Sequence, residues 1–146
     1  MTINTVLQKM LTLLQQLQET LQQEELELSA GVVNSALLHR VTENKSEQLT
    51  SLRHFDVQRQ KLEQQSNLSA PYSEQSELHT LWSEIQLLTQ ALSQNNRRND
   101  LLLRQHMKYT NEALELLKTK SNNNLYGPDG YSSQFIPYHQ GNKFGG

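Results

Sequence analysis

Residues Ile3 to Leu28 read INTVLQKMLTLLQQLQETLQQEELEL. Apolar side chains fall at Ile3, Leu7, Met10, Leu14, Leu17, Leu21 and Leu28, and only Glu24 breaks the series of threes and fours. Such steps keep successive side chains on one face of an α-helix, so the stretch predicts an amphipathic helix with a heptad-type seam. Thr2 stands where an N-cap hydroxyl is needed. Gly31, followed by the β-branched Val32 and Val33, marks the end.

The same spacing recurs twice. A second seam runs through Leu38, Val41, Lys45, Leu49, Leu52, Phe55 and Leu62, with Asn34 or Ser35 as its cap and the charged Lys45 and Arg59 at seam positions. Ser66, Asn67, Ser69, Pro71 and Ser73 then make the stretch 64–76 read as a loop. The third seam is the longest: Leu78, Leu81, Ile85, Leu88, Leu92, Asn95, Asn99, Leu102, His106, Tyr109, Ala113 and Leu116. Ser73 is its expected cap, Glu74 and Glu77 suit its first turn, and Lys118 and Lys120 suit its last.

Composition agrees with this pattern. Only 35% of the chain is apolar and 6% aromatic, and the apolar part is leucine-rich rather than β-branched, which disfavours sheet and favours long helices. The expectation is an all-α fold: three long antiparallel amphipathic helices, about 3–28, 35–64 and 74–120, in an up-down-up, coiled-coil-like bundle. At 1.5 Å per residue they measure roughly 40, 45 and 65 Å. The third therefore outruns its neighbours. The body is expected over 1–120 and a flexible tail over 121–146, where five of the six glycines and two of the three prolines lie. That tail also carries Leu125, Tyr126, Tyr131, Phe135, Ile136, Tyr138 and Phe144.

Several functions are excluded by what the chain holds. A formal net charge of −2 argues against nucleic acid and anionic membrane as partners. There is no cysteine, hence no disulfide, thiolate nucleophile or Cys-based zinc site. His39, His54, His79, His106 and His139 form no i, i+4 pair, and no Gly-rich phosphate loop or nucleophile elbow is present. The reading is a non-enzyme with no catalytic residues, no cofactor and no metal. The residues after Met1 lack a signal-peptide pattern, and no apolar run is long enough to span a bilayer, so a cytoplasmic protein with no direct membrane insertion is expected.

Two features of the third helix have both a bland and a sharp reading. Asn95 and Asn99 interrupt the seam one turn apart. They are either a polar layer that fixes register or partner, or simply a wet stretch. Beside the seam runs a second apolar strip, Leu103, Met107, Thr110, Leu114 and Leu117. It is either extra core surface of the bundle or a face that accepts another amphipathic helix, with Met107 as an adaptable contact. The basic residues Arg97, Arg98, Arg104 and Lys108 read as a solvated face, since the chain as a whole is slightly acidic.

Four stretches bring a family to mind: MLTLLQQLQETLQQEELELSAG (10–31), LLHRVTENKSEQLTSL (37–52), LSQNNRRNDLLLRQHMKYTNEALELL (92–117) and LYGPDG (125–130). In this order and spacing they resemble the FlgN family of flagellar type III export chaperones. The resemblance implies binding to the C-terminal segments of the hook–filament junction proteins FlgK and FlgL. It also implies docking on the cytoplasmic domain of the export-gate protein FlhA, and contacts with soluble export components. On that reading Leu103, Met107, Leu114 and Leu117 are the client-binding residues, and Leu125, Tyr126 and Gly127 the export-gate anchor. Beyond Tyr131 the tail departs from the family pattern. A coiled-coil scaffold protein, or another chaperone of the export apparatus, remains as the alternative.

Overall fold

The computed structural model describes residues 1–123. Among them are three helices: α1 (Ile3–Ser29), α2 (Ser35–Ser66) and α3 (Ser76–Asn123). No described residue is in a strand. The chain divides into two units, Met1–Asn99 and the part from Asp100 onward.

The expected caps of α1 and α2 form, and that of α3 at Ser73 does not. The Thr2 hydroxyl accepts from the Thr5 amide at 3.2 Å, and the Asn34 side chain accepts from the Leu37 amide at 3.1 Å, each satisfying an amide that has no partner inside its helix. Helix α2 runs two residues past its expected end and stops at Asn67, whose φ of 57° is a left-handed cap that asparagine tolerates.

Helix α3 starts at Ser76, not near Ser73. The reason is a turn built around Tyr72: its amide donates to the Ser69 carbonyl at 2.9 Å, and its own carbonyl accepts from the Gln75 amide at 3.0 Å. Residues 73–75 are thereby held in the turn, and the helical ladder opens with the His79 amide donating to the Gln75 carbonyl at 2.8 Å. Tyr72 itself has φ of 57°, a conformation that costs a non-glycine residue about 1–2 kcal/mol. Its side chain is 2% exposed, and that burial offsets the strain.

In the first unit, cross-helix pairs give the directions. Lys9 lies over the Phe55 ring at one end of α1 and α2, and Glu24 pairs with Lys45 at the other. The two helices are therefore antiparallel. Arg59 over Trp82 and Lys45 bonded to Asn96 make α2 and α3 antiparallel as well. The up-down-up order follows. All seven seam residues of α1 are buried, together with Val6, and all but Leu28 pack with Tyr72, Ile85 and Leu92 as the core. From α2 the core receives Leu49, Leu52, Phe55 and Leu62, all half-buried. The core is thus a leucine seam centred on α1.

Candidate functional site

Three side-chain arrangements stand out among the described residues. The first crosses the bundle of the first unit. Glu24, 2% exposed, accepts from Lys45 Nζ at 2.9 Å through Oε2, and from Asn99 Nδ2 at 2.9 Å through Oε1. Lys45 Nζ also donates to Asn96 Oδ1 at 3.1 Å. Asn99 Nδ2 donates in addition to the Leu21 carbonyl at 2.9 Å. A buried carboxylate is costly unless it is paired and hydrogen-bonded, and here α2 supplies the charge and α3 the amide. An open cleft floored by Leu14, Leu49, Leu52 and Leu92 reaches this layer at Lys45 and Asn96. The seam breaks at Glu24, Lys45 and Asn99 are therefore one polar layer, in which Asn96 rather than Asn95 takes part.

The second arrangement anchors the 67–75 loop. Arg59, 7% exposed, donates to Asp56 and Glu63 at 3.0 Å each and to the Tyr72 hydroxyl at 3.4 Å. Its guanidinium carbon lies 4.5 Å from the Trp82 ring centroid, and Tyr72 meets Trp82 edge to face. Glu63 also accepts from the Ala70 amide at 2.8 Å. Burial pulls the Arg59 guanidinium toward lower pKa, but its bonds to Tyr72 and Asp56 outweigh this and leave it raised. Burial likewise pushes the Tyr72 phenol up to about 12. The arrangement is a stapled loop with no reactive group poised for chemistry.

The third is the face of α3 after Asn99. At roughly 100° per residue, the apolar residues from Leu116 and Tyr109 round to Leu114 and Met107 cover about half of the helix circumference. The usual stripe of a bundle helix is roughly 100° wide. One edge of this arc is covered: Leu103 is 7% exposed, and Met107, Thr110 and Leu114 are half-buried. The other edge is open: Tyr109 is 75% exposed, Leu116 69% and Leu117 57%, with Ala113 exposed between them. From Tyr109 on, therefore, the seam is the more exposed of the two, while Leu102 and His106 of the seam are half-buried. Residues 109, 113 and 116 of the expected body seam face outward, and Leu103 of the strip is covered. Among the strip residues only Leu117 is fully exposed. This change has a simple geometric cause. A 3.6-residue helix drifts against a strict heptad repeat, by about 20° per heptad.

Leu125, Tyr126 and Gly127 lie outside the described residues, as does the rest of the expected tail from Asn124 on. No group of three or more metal-ligating side chains occurs among the described residues. No described helix is long and apolar enough to cross a membrane. His39 pairs with Glu43 on the surface of α2, His54 contacts the Phe55 ring, and His79 Nδ1 lies 2.8 Å from the Pro71 carbonyl.

These three helices match a known sequence pattern along most of their length: the FlgN protein family model covers residues 1–134. The chain belongs to the FlgN family. It is 37% identical over 130 residues to the flagella synthesis protein FlgN of Yersinia enterocolitica, covering 89% of this chain and 88% of that one. To the flagella synthesis protein FlgN of Proteus mirabilis it is 38% identical over 116 residues, 80% of each chain. To that of Salmonella typhimurium it is 34% identical over 131 residues, 90% of each chain. No solved structure matches. Each of the three arrangements lies within the FlgN-matched span, so each belongs to the family body of this chain.

Sequence reasoning noted Glu24, Lys45, Asn99 and Arg59 one at a time, as breaks in separate seams. It did not join the first three into one layer, nor link Arg59 to Tyr72 and Trp82. Their shared signal is that each is polar where its own helix calls for an apolar side chain.

Proposed function

We propose that this chain is a cytoplasmic flagellar export chaperone that binds the C-terminal segments of FlgK and FlgL and delivers them to the export gate. The observation that carries the reading is the open apolar edge of α3, Tyr109, Leu116 and Leu117, on a helix whose polar face is otherwise well solvated. An exposed aromatic–leucine strip of this kind suits an amphipathic partner helix. Membership of the FlgN family supports the choice of partner.

The client site on this reading is Leu117 with Tyr109 and Leu116, flanked by the half-buried Met107 and Leu114. Leu103, 7% exposed, offers no open surface to a client. Each well-buried leucine contributes roughly 1.5–3 kcal/mol. The three open side chains, with the accessible remainder of Met107 and Leu114 and less the cost of ordering a flexible client, give on the order of 8 kcal/mol, a micromolar and reversible affinity. Reversibility is required of a protein that hands its client on. Leu125, Tyr126 and Gly127 would dock on the cytoplasmic domain of FlhA, with the tyrosine ring as anchor.

The test is size-exclusion chromatography of the full chain with and without FlgK or FlgL C-terminal segments. Co-elution as a discrete complex supports the chaperone reading. Self-association that ignores the segments supports a coiled-coil scaffold.

A further inference from the structure

We infer that the layer of Glu24, Lys45, Asn96 and Asn99 is a register lock, which selects one alignment of the three helix seams from several that apolar packing alone leaves open. Leucine seams are nearly self-similar. In α1, Leu7, Leu14, Leu21 and Leu28 are each seven residues apart, and in α3 Leu78, Ile85 and Leu92 keep the same interval. Sliding α3 past α1 by one heptad sets apolar residues against apolar residues again, so burial discriminates weakly between the two alignments.

The polar layer does discriminate. Glu24 is 2% exposed and Asn99 1%. A shift of α3 by seven residues brings Leu92 or His106 to the height of Asn99. The Asn99 amide is then withdrawn from Glu24 Oε1 and from the Leu21 carbonyl, and Asn96 from Lys45. That leaves a buried carboxylate short of a donor and a backbone carbonyl facing leucine, which is strongly unfavourable. A smaller shift fails too, because Asn99 bonds to a backbone atom and a side chain of α1 at once. The layer has its own cost: Asn99 Oδ1 is buried with no partner among the described residues. Some loss of stability in return for a unique alignment is the known signature of a polar residue at a coiled-coil core position.

The chain has no cysteine, so introduced pairs report alignment cleanly. Glu25 and Arg98 are exposed neighbours, ion-paired at 3.5 Å across α1 and α3. Glu25→Cys with Arg98→Cys therefore reports the native alignment under mild oxidation, and Glu25→Cys with Ala91→Cys reports a slip of one heptad. With the layer intact, only the first pair closes an intramolecular disulfide. In a Glu24→Leu, Lys45→Leu, Asn99→Leu background the chain stays helical, and the second pair rises at least tenfold relative to the first. Asn96→Leu with Asn99→Leu, which leaves the Glu24–Lys45 pair in place, gives the same rise. Two results overturn the inference. One is native cross-linking alone in both backgrounds. The other is loss of helical structure in the triple variant, which would make the layer a requirement for folding rather than a choice of alignment.

Discussion

The Arg59 guanidinium and the Trp82 ring face each other at 4.5 Å across the α2–α3 gap, and this contact sets how the connecting loop closes. Around it Asp56, Glu63 and Tyr72 all bond to the same guanidinium. Arg59→Met keeps the aliphatic packing but leaves Glu63 and Tyr72 short of a donor. A loss of about 2–4 kcal/mol in urea unfolding is expected. A loss below about 0.5 kcal/mol would mean that the loop is held by apolar packing alone.

Tyr72 predicts a pH dependence. Its phenol is raised from 10.0 to about 12, first by burial and further by Glu63, against the opposing pull of Arg59. Between those values the folded chain holds a proton that the unfolded chain has released. Stability is thus fully present below pH 10 and falls as pH rises toward 12. Tyr72→Phe removes this component, so the difference between parent and variant stabilities shrinks or changes sign over that window. A difference that is flat with pH would show that the phenol is not buried in solution.

The Glu24–Lys45 pair predicts an asymmetry. Lys45→Met leaves a buried carboxylate without its cation and is expected to cost about 3–5 kcal/mol. Replacing both by leucine should cost much less, or stabilise, because neither charge then has to be desolvated. Denaturant unfolding of the two variants makes the comparison. Equal losses would mean that the pair is worth more than the apolar contacts that replace it.

Much of this fold is legible in the sequence because leucine spacing determines it. Ile3, Leu7, Met10, Leu14, Leu17 and Leu21 are all buried as their periodicity requires, and Thr2 and Asn34 cap where their hydroxyl and amide suggest. The start of α3 was less legible. It depends on a left-handed Tyr72 that is stabilised by Arg59, thirteen residues earlier, and local propensity carries no trace of such a contact. The apolar arc after Asn99 was visible as two strips, but which strip faces out was not. That choice follows from helical drift against the heptad, which accumulates with distance and is not fixed by residue type.

The tail gives a separable prediction under the proposed function. Tyr126→Ala should leave binding of the FlgK and FlgL segments unchanged. It should weaken association with the FlhA cytoplasmic domain by about 2 kcal/mol, some thirtyfold, as loss of an aromatic anchor in a small interface does. A variant that keeps the gate and loses the client would exchange the two assignments.

The central claim is that the open edge of α3 is a client surface. Calorimetric titration of the full chain with FlgK and FlgL C-terminal segments tests it most directly. The comparison is parent against Leu116→Ala with Leu117→Ala. Both leucines are exposed, so the variant should unfold within about 1 kcal/mol of the parent. The predicted result is at least a tenfold loss of affinity with the folded body intact. Unchanged affinity in a folded variant would contradict the account and leave the open edge as solvated surface.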